Sequence, residues 1–209
     1  MTKVKICGLK DGDMVRRAAE GGAHWVGLNF VGASPRFVTL EAAASLLLHV
    51  RSAVPVALVS DFDDEAIDAI AGLDFPVLQL HGGETPERLA EIKSRTGREV
   101  WKAFGVSSRG DLKSLNAYGA ADGFVIDAKA PAGSSYAGGH GAVFDWSILK
   151  GWTAPRPWLL AGGLTAENVA EAIAETGAEA VDVSSGVEKV HGWKSPDLMA
   201  TFLAAAKAA

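Results

Sequence analysis

Two side chains in this 209-residue sequence have the type and placement for proton chemistry on a small molecule. Phe124-Val-Ile-Asp127 carries a carboxylate to the end of an apolar run, ahead of a glycine-rich loop from Ala128 to Ala142. Val4-Lys5-Ile6-Cys7 does the same with the only thiol in the chain. Partial burial raises a carboxyl pKa until the group can donate a proton near neutrality. A thiol whose pKa is lowered by nearby cations or dipoles can serve as a base. Lys5 is one such cation if strand alternation puts it on the face of Cys7. Plainer readings stand beside these: Cys7 as a small core hydrophobe, Asp127 as a loop cap or a partner of Lys129, Lys5 as a solvated lysine near the terminus. The chemical reading requires the two strand ends to face each other across one site.

Other apolar runs also end in polar residues or glycine: Asn29, His81, Ala161-Gly-Gly163 and Asp182-Val-Ser-Ser-Gly186. Gly162-Gly163 and Ser184-Ser185-Gly186 both precede helical segments, where backbone N–H groups can approach an oxyanion closely. Tight turns alone are the alternative, but the joint placement favours phosphate. Arg36, in Ser34-Pro-Arg36, suits a bidentate carboxylate contact at the mouth of a site, or is an exposed solubilising arginine. Asp182 acts on the site or orients the Ser184-Ser185 loop. His81 reaches substrate or bonds a neighbouring loop, and His140 rides on the glycine-rich segment. His24, His49 and His191 show no metal-ligand spacing, so no metal is expected.

The elements that must position these residues alternate along the whole chain. Strand-like runs cover Val4–Cys7, Trp25–Phe30, Val56–Val59, Val77–Leu80, Val100–Phe104, Gly123–Ile126, Trp158–Ala161 and Ala180–Val183. Helix-like runs follow at Gly12–Gly21, Leu40–Val50, Asp64–Ala71, Pro86–Arg95, Arg109–Tyr118, Phe144–Trp152, Ala166–Thr176 and Pro196–Ala206. Uniformly apolar strands imply a parallel sheet covered on both faces. Thr165 and Ser195 are candidate N-caps, and Pro86 and Pro196 sit at first helical positions. Gly72, Gly97, Gly119 and Gly177 stand where helices should stop. Eight units of roughly 26 residues predict an α/β fold, a single-domain (β/α)8 TIM barrel over residues 1–209, with its site beyond the C-terminal strand ends. The rival is a doubly wound open sheet, whose simplest dinucleotide form is removed because no Gly-x-Gly-x-x-Gly follows the first strand.

Composition narrows the partners. With 48% hydrophobic and 22% charged residues the chain can build a sizeable core. A net charge of −5 and a pI near 5.5 argue against nucleic-acid or acidic-membrane surfaces. One cysteine rules out an internal disulfide and a Cys-based metal cluster. No apolar run approaches the ~18 residues of a membrane span, and no apolar signal region precedes the first strand. A cytoplasmic protein is expected.

As a set, the motifs resemble the phosphoribosylanthranilate isomerase family of tryptophan biosynthesis. They are Lys5-Ile-Cys-Gly8, Ser34-Pro-Arg36, Gln79-Leu-His-Gly82, the Asp127 strand end, Gly138-Gly-x-Gly141 with Phe144-Asp-Trp146, Ala161-Gly-Gly-Leu164 with Asn168-Val169, and Asp182-Val-Ser-Ser-Gly-Val-Glu188. The resemblance implies a cofactor-free Amadori rearrangement, the third step from chorismate, by an intramolecular oxidoreductase of the aldose–ketose type. It implies Asp127 as the acid that opens the ribose ring and Cys7 as the base that takes the C2 proton. It places Arg36 on the anthranilate carboxylate and Gly163 with the Ser185-Gly186 turn on the phosphate, with Asp182 in support. His81 and Gly162 complete the expected substrate contacts. The partner implied is a sugar-phosphate small molecule, bound by a monomer or homodimer.

Two positions depart from the family pattern: His140 stands where a small hydroxyl residue is usual, and His191-Gly-Trp-Lys-Ser195 replaces Pro-Gly-x-Lys-Asp. Three other readings compete. The histidine-pathway sugar isomerase is expected to end its first strand in aspartate, and triosephosphate isomerase uses a glutamate base. A non-catalytic phosphate-binding barrel would have no need of Cys7 and Asp127 together.

Overall fold

Strands that are apolar on both faces have to be covered on both, and a closed ring with helices outside it does so. The computed structural model describes residues 1–129 and 144–209. The Gly138-Gly139-His140-Gly141 motif, and with it His140, lies outside the described residues. The ring contains β1 (Lys3–Cys7), β2 (Trp25–Asn29), β3 (Val54–Val59), β4 (Val77–Leu80), β5 (Glu99–Val106), β6 (Gly123–Ala128), β7 (Trp158–Leu160) and β8 (Ala180–Val183). They pair in chain order, all parallel, and β8 closes on β1 with Lys5 opposite Asp182. This is the (β/α)8 barrel expected from the alternation.

Strand alternation sorts side chains into two cores. Val4, Ile6, Leu80, Phe124 and Ile126 face outward into a layer shared with Leu89, Ile92 and Phe202 of the helices. Val56, Val77, Trp101, Val125 and Leu159 fill the lumen. By the same alternation Lys5, Cys7, Asp127 and Asp182 point inward. Trp25 and Trp101 meet edge to face at 5.4 Å in the lower barrel. The depression there, of about 700 Å³, opens at the strand N-termini, away from Cys7 and Asp127.

The outer helices are α1 (Gly12–Glu20), α2 (Leu40–Leu47), α3 (Asp64–Ala71), α4 (Pro86–Thr96), α5 (Val169–Thr176) and α6 (Pro196–Ala208). Ser195 caps α6 by accepting the Leu198 N–H, with Pro196 in the first turn. Thr165 is not a cap: its own N–H donates to Asn168 Oδ1 at 2.8 Å, and α5 begins after Asn168. Two expected helices are shorter and tighter. Arg109–Tyr118 contains only a 3₁₀ segment, Asp111–Ala117, because Asp111 accepts from the backbone N–H groups of Ser107 and Ser108 and winds the entry into a turn. Phe144–Trp152 yields Trp146–Leu149, closed by Gly151 at φ +67°. After β8 comes an unanticipated 3₁₀ turn, Ser185–Val187, and a small antiparallel hairpin, β9 (Glu188–Val190) with β10 (Trp193–Lys194).

Candidate active site

Cys7 and Asp127 end β1 and β6 at the same mouth of the barrel, 5% and 8% exposed. Between them lies a charged pair that the lumen of an apolar barrel would not ordinarily hold. Lys5 Nζ donates to Asp182 Oδ1 at 3.0 Å, with Lys5 fully buried. Burial pushes the Asp127 carboxyl up, and the Asp182 charge adds to it, so its pKa stands at about 7. The Ala128 N–H, donated to Asp127 Oδ1 at 2.7 Å, works in the other direction without prevailing. The thiol moves against the simple expectation: burial raises the Cys7 pKa, and the Lys5 and Lys194 charges offset this only in part. A carboxyl that keeps its proton near neutrality therefore shares the mouth with a thiol that gives its own up reluctantly.

His81 follows β4 with its Nε2 3.9 Å from Asp127 Oδ2. Its loop is pinned by a buried carboxylate: Glu84 accepts from the Gly82 and Asp61 N–H groups and from Lys102 Nζ. Lys102 also donates to Gly82 O at 2.7 Å.

Arg36 is 3% exposed, so it is not a solubilising surface residue. Ser34 Oγ accepts from Asn29 Nδ2 and from the Arg36 N–H, which shapes the loop after β2. The arginine stem then crosses Gly8, whose φ of +77° and missing Cβ leave room for it directly after Cys7. One edge of the guanidinium is bidentate on Glu188, with Nε at 2.7 Å from Oε1 and Nη2 at 3.0 Å from Oε2. Lys194 Nζ donates to the same Glu188 Oε1 at 2.7 Å and to the Ser184 carbonyl at 2.9 Å. Although burial opposes it, Arg36 and Lys194 together hold the Glu188 carboxyl down at about 2. Burial brings the Lys194 amine down to about 8 despite Glu188. The departing motif His191–Ser195 thus keeps its lysine, and the hairpin serves to deliver it.

The loops after β7 and β8 lie against one another. Gly162 and Gly163 both have positive φ, and a Cβ on Gly162 would meet Ala128 N at 2.7 Å, beside the Asp127 carboxyl. A Cβ on Gly186 would collide with the Leu164 carbonyl oxygen. Asn168 ties the first loop by donating to Gly163 O at 3.0 Å. Ser184 Oγ donates to the Cys7 carbonyl at 3.1 Å, which joins the second loop to β1. The N–H groups of Gly163 and Ser185 donate to nothing among the described residues, an arrangement suited to an anion.

Among the described residues, Cys7, Arg36, His81, Asp127, Gly162, Gly163, Asp182, Ser185 and Gly186 therefore gather at one end. Glu188 and Lys194 lie inside quoted motifs, but the sequence assigns them no role, because the partner that gives Glu188 its role, Arg36, is 152 residues away.

Residues 4–205 match the family model for N-(5'phosphoribosyl)anthranilate (PRA) isomerase. The N-(5'-phosphoribosyl)anthranilate isomerase of Hyphomonas neptunium is 61% identical over 208 residues, covering 100% of this chain and 98% of that one. The crystal structure of phosphoribosyl anthranilate isomerase from Thermotoga maritima superposes with a TM-score of 0.88 at 32% identity, each chain fully covered. A phosphoribosyl anthranilate isomerase in complex with reduced 1-(o-carboxyphenylamino)-1-deoxyribulose 5-phosphate gives a TM-score of 0.84 at 31% identity, again over the whole of both chains.

Proposed function

The chain belongs to the N-(5'-phosphoribosyl)anthranilate isomerase family, and from that premise we infer how its own residues carry the reaction. The enzyme converts N-(5-phosphoribosyl)anthranilate into 1-(2-carboxyphenylamino)-1-deoxyribulose 5-phosphate, a step of tryptophan biosynthesis. Asp127 gives its proton to the ribose ring oxygen, the C1–O bond breaks, and the ring opens to a Schiff base. Cys7, as thiolate, takes the C2 proton, and the electron pair moves into the C1–C2 bond and onto nitrogen. The resulting enolamine tautomerises to the ketone. The substrate nitrogen is the electron sink, so the rearrangement requires no further electron acceptor. The observation that carries this reading is the shared mouth of Cys7 and Asp127, both nearly enclosed and both acted on by one Lys5–Asp182 pair.

The remaining contacts follow from charge and geometry. Glu188 holds the Arg36 guanidinium bidentately and so orients this arginine, which we assign to the anthranilate carboxylate. Gly162, Gly163, Ser185 and Gly186 hold the phosphate, with His81 and Asp182 flanking the ribose. The reading is of a cytoplasmic enzyme, monomeric or homodimeric, whose site comes from a single chain. Among the described residues no helix is long and apolar enough to cross a membrane.

Turnover of purified protein, followed as loss of phosphoribosylanthranilate fluorescence across pH, tests the acid and base together. The competent form holds a protonated Asp127 and an ionised Cys7. Below pH 7 the acid is intact and the thiolate fraction grows, so kcat/KM rises about tenfold per pH unit. Through the next interval thiolate gain offsets acid loss and the profile is flat. It falls once Cys7 is fully ionised. The acidic limb near pH 7 accordingly reports Asp127 and the alkaline limb reports the thiol. A profile flat from pH 5 upward rejects the pair.

Gly186→Ala probes the anion loops separately. The added methyl meets a backbone oxygen that no rotamer change can move, so the two loops are forced apart. We expect KM to rise about tenfold, or roughly 1.4 kcal/mol of binding, with kcat changed much less.

A further inference from the structure

A lysine sealed inside a barrel lumen needs a reason beyond stability. Branched apolar residues usually fill that space, and replacing a buried ion pair by well-packed hydrophobes is often neutral or stabilising. Lys5 is 0% exposed and Asp182 9%, joined at 3.0 Å across the β1–β8 seam. They lie on the lumen face one alternation below Cys7 and Ser184. Gly27 of β2 makes the convergence possible: a Cβ there would sit 2.9 Å from Cys7 Sγ and 3.3 Å from Lys5 Cε. The lysine stem and the thiol therefore crowd the same gap in the neighbouring strand.

We propose that Lys5 and Asp182 are positioning residues for the proton transfers, a buried pair that sets opposite protonation states on the base and the acid while one negative charge passes between them. This rests on the assignment of Cys7 as base and Asp127 as acid. Ring opening takes the carboxyl proton and leaves a carboxylate while the sulfur is still charged, balanced by the iminium on the substrate. Removal of the C2 proton then neutralises the sulfur and the iminium together. From the start of the reaction to the enolamine the two groups keep one negative charge, which has moved from sulfur to carboxylate. Lys5 attracts that charge on either atom, whereas Asp182 repels it on both. Lys5 is the stronger of the two at Cys7 and Asp182 the stronger at Asp127, so the pair favours thiolate at one group and a retained carboxyl proton at the other.

Among the described residues, the other charged groups facing these two atoms are Lys194 of β10, which acts on Cys7, and His81 after β4, 3.9 Å from Asp127. Gly27 and Asn29 on β2 bring no charge.

The two partners make opposite predictions, which a merely structural role would not. Because the chain has one cysteine, iodoacetamide alkylation reads the Cys7 thiolate directly and without substrate. In Lys5→Met, alkylation at pH 8 should be about tenfold slower, the equivalent of one unit in thiol pKa. The acidic limb of kcat/KM should move to higher pH, and kcat should fall about tenfold at pH 6, where the acid is protonated in both proteins, with KM within threefold. In Asp182→Asn, alkylation at pH 8 should instead be several-fold faster, with the acidic limb moving to lower pH. Shifts of the same sign in both variants, or none, overturn the proposal, as does Lys5→Met with unchanged kcat. If Lys5→Met does not fold, the sign in Asp182→Asn decides. Wild-type protein that does not isomerise the substrate rejects the acid–base reading instead, and the alkylation shifts still test the pair.

Discussion

Asp127→Asn is expected to lose turnover by about 10²–10⁴-fold while the folded protein becomes more stable in alkaline solution. The first effect follows from the proposed role of Asp127 as the proton donor for ring opening. Cys7→Ser should lose a similar factor, and the double variant little more than either single one, because the two groups act as a unit. Binding of a reduced product analogue should survive in all three. The second effect follows from where the carboxyl sits. Below pH ~4 it is protonated in both folded and unfolded chains, and the variant gains nothing from the charge. Between pH ~4 and 7 the unfolded chain releases the proton while the folded site retains it, so wild-type stability falls by about 1.4 kcal/mol per pH unit. Above about 7 both forms are ionised and the penalty is complete, about 4 kcal/mol in total. Urea denaturation at pH 4 and pH 8.5 measures it directly. A variant that gains no stability between those two pH values would mean that the carboxyl is not held protonated by burial.

Glu188→Ala is expected to damage stability and substrate affinity together. Its carboxylate is the shared acceptor of Arg36 and Lys194, whose side chains are 3% and 2% exposed. Deleting it leaves two cations buried side by side, and breaking such a pair typically costs about 3–5 kcal/mol. For a chain of this length that lowers Tm by about 10 °C. The pH dependence has the opposite sign to that of Asp127. A carboxyl held at about 2 contributes stability that is complete above its unfolded value and is lost as pH falls through the folded one. The gap between wild type and variant should therefore be full at pH 6 and shrink toward pH 2. KM should rise as well, since Arg36 loses the partner that orients it. A Tm within 2 °C of wild type at pH 6 would contradict the buried network.

Much of the site was legible from strand-end identity. Cys7, Asp127, Asp182 and the paired glycines each terminate an apolar run, and in a parallel barrel such positions face one mouth. Caps such as Ser195 with Pro196 were equally legible, because a cap involves residues three apart. Errors came where local turn chemistry competed with helical spacing. Asp111 gathers the Ser107 and Ser108 N–H groups and converts an expected helix into a 3₁₀ segment. Asn168, rather than Thr165, opens α5 because its amide bonds both ends of the preceding loop. Arg36 is bidentate on the chain's own Glu188, a partner 152 residues away that no near-neighbour pattern along the chain shows.

Sequence alone determined the barrel, its polar rim and the residue types available for acid–base work, since alternation and run length depend only on near neighbours along the chain. Tertiary structure decided which charges meet and what protonation they impose. Lys5 finds Asp182 across 177 residues, and enclosure turns the thiol upward in pKa where a neighbouring lysine alone would have drawn it down. Desolvation and ion pairing act through space, at the strength the surrounding dielectric allows, and that surrounding exists only once the ring of strands has closed.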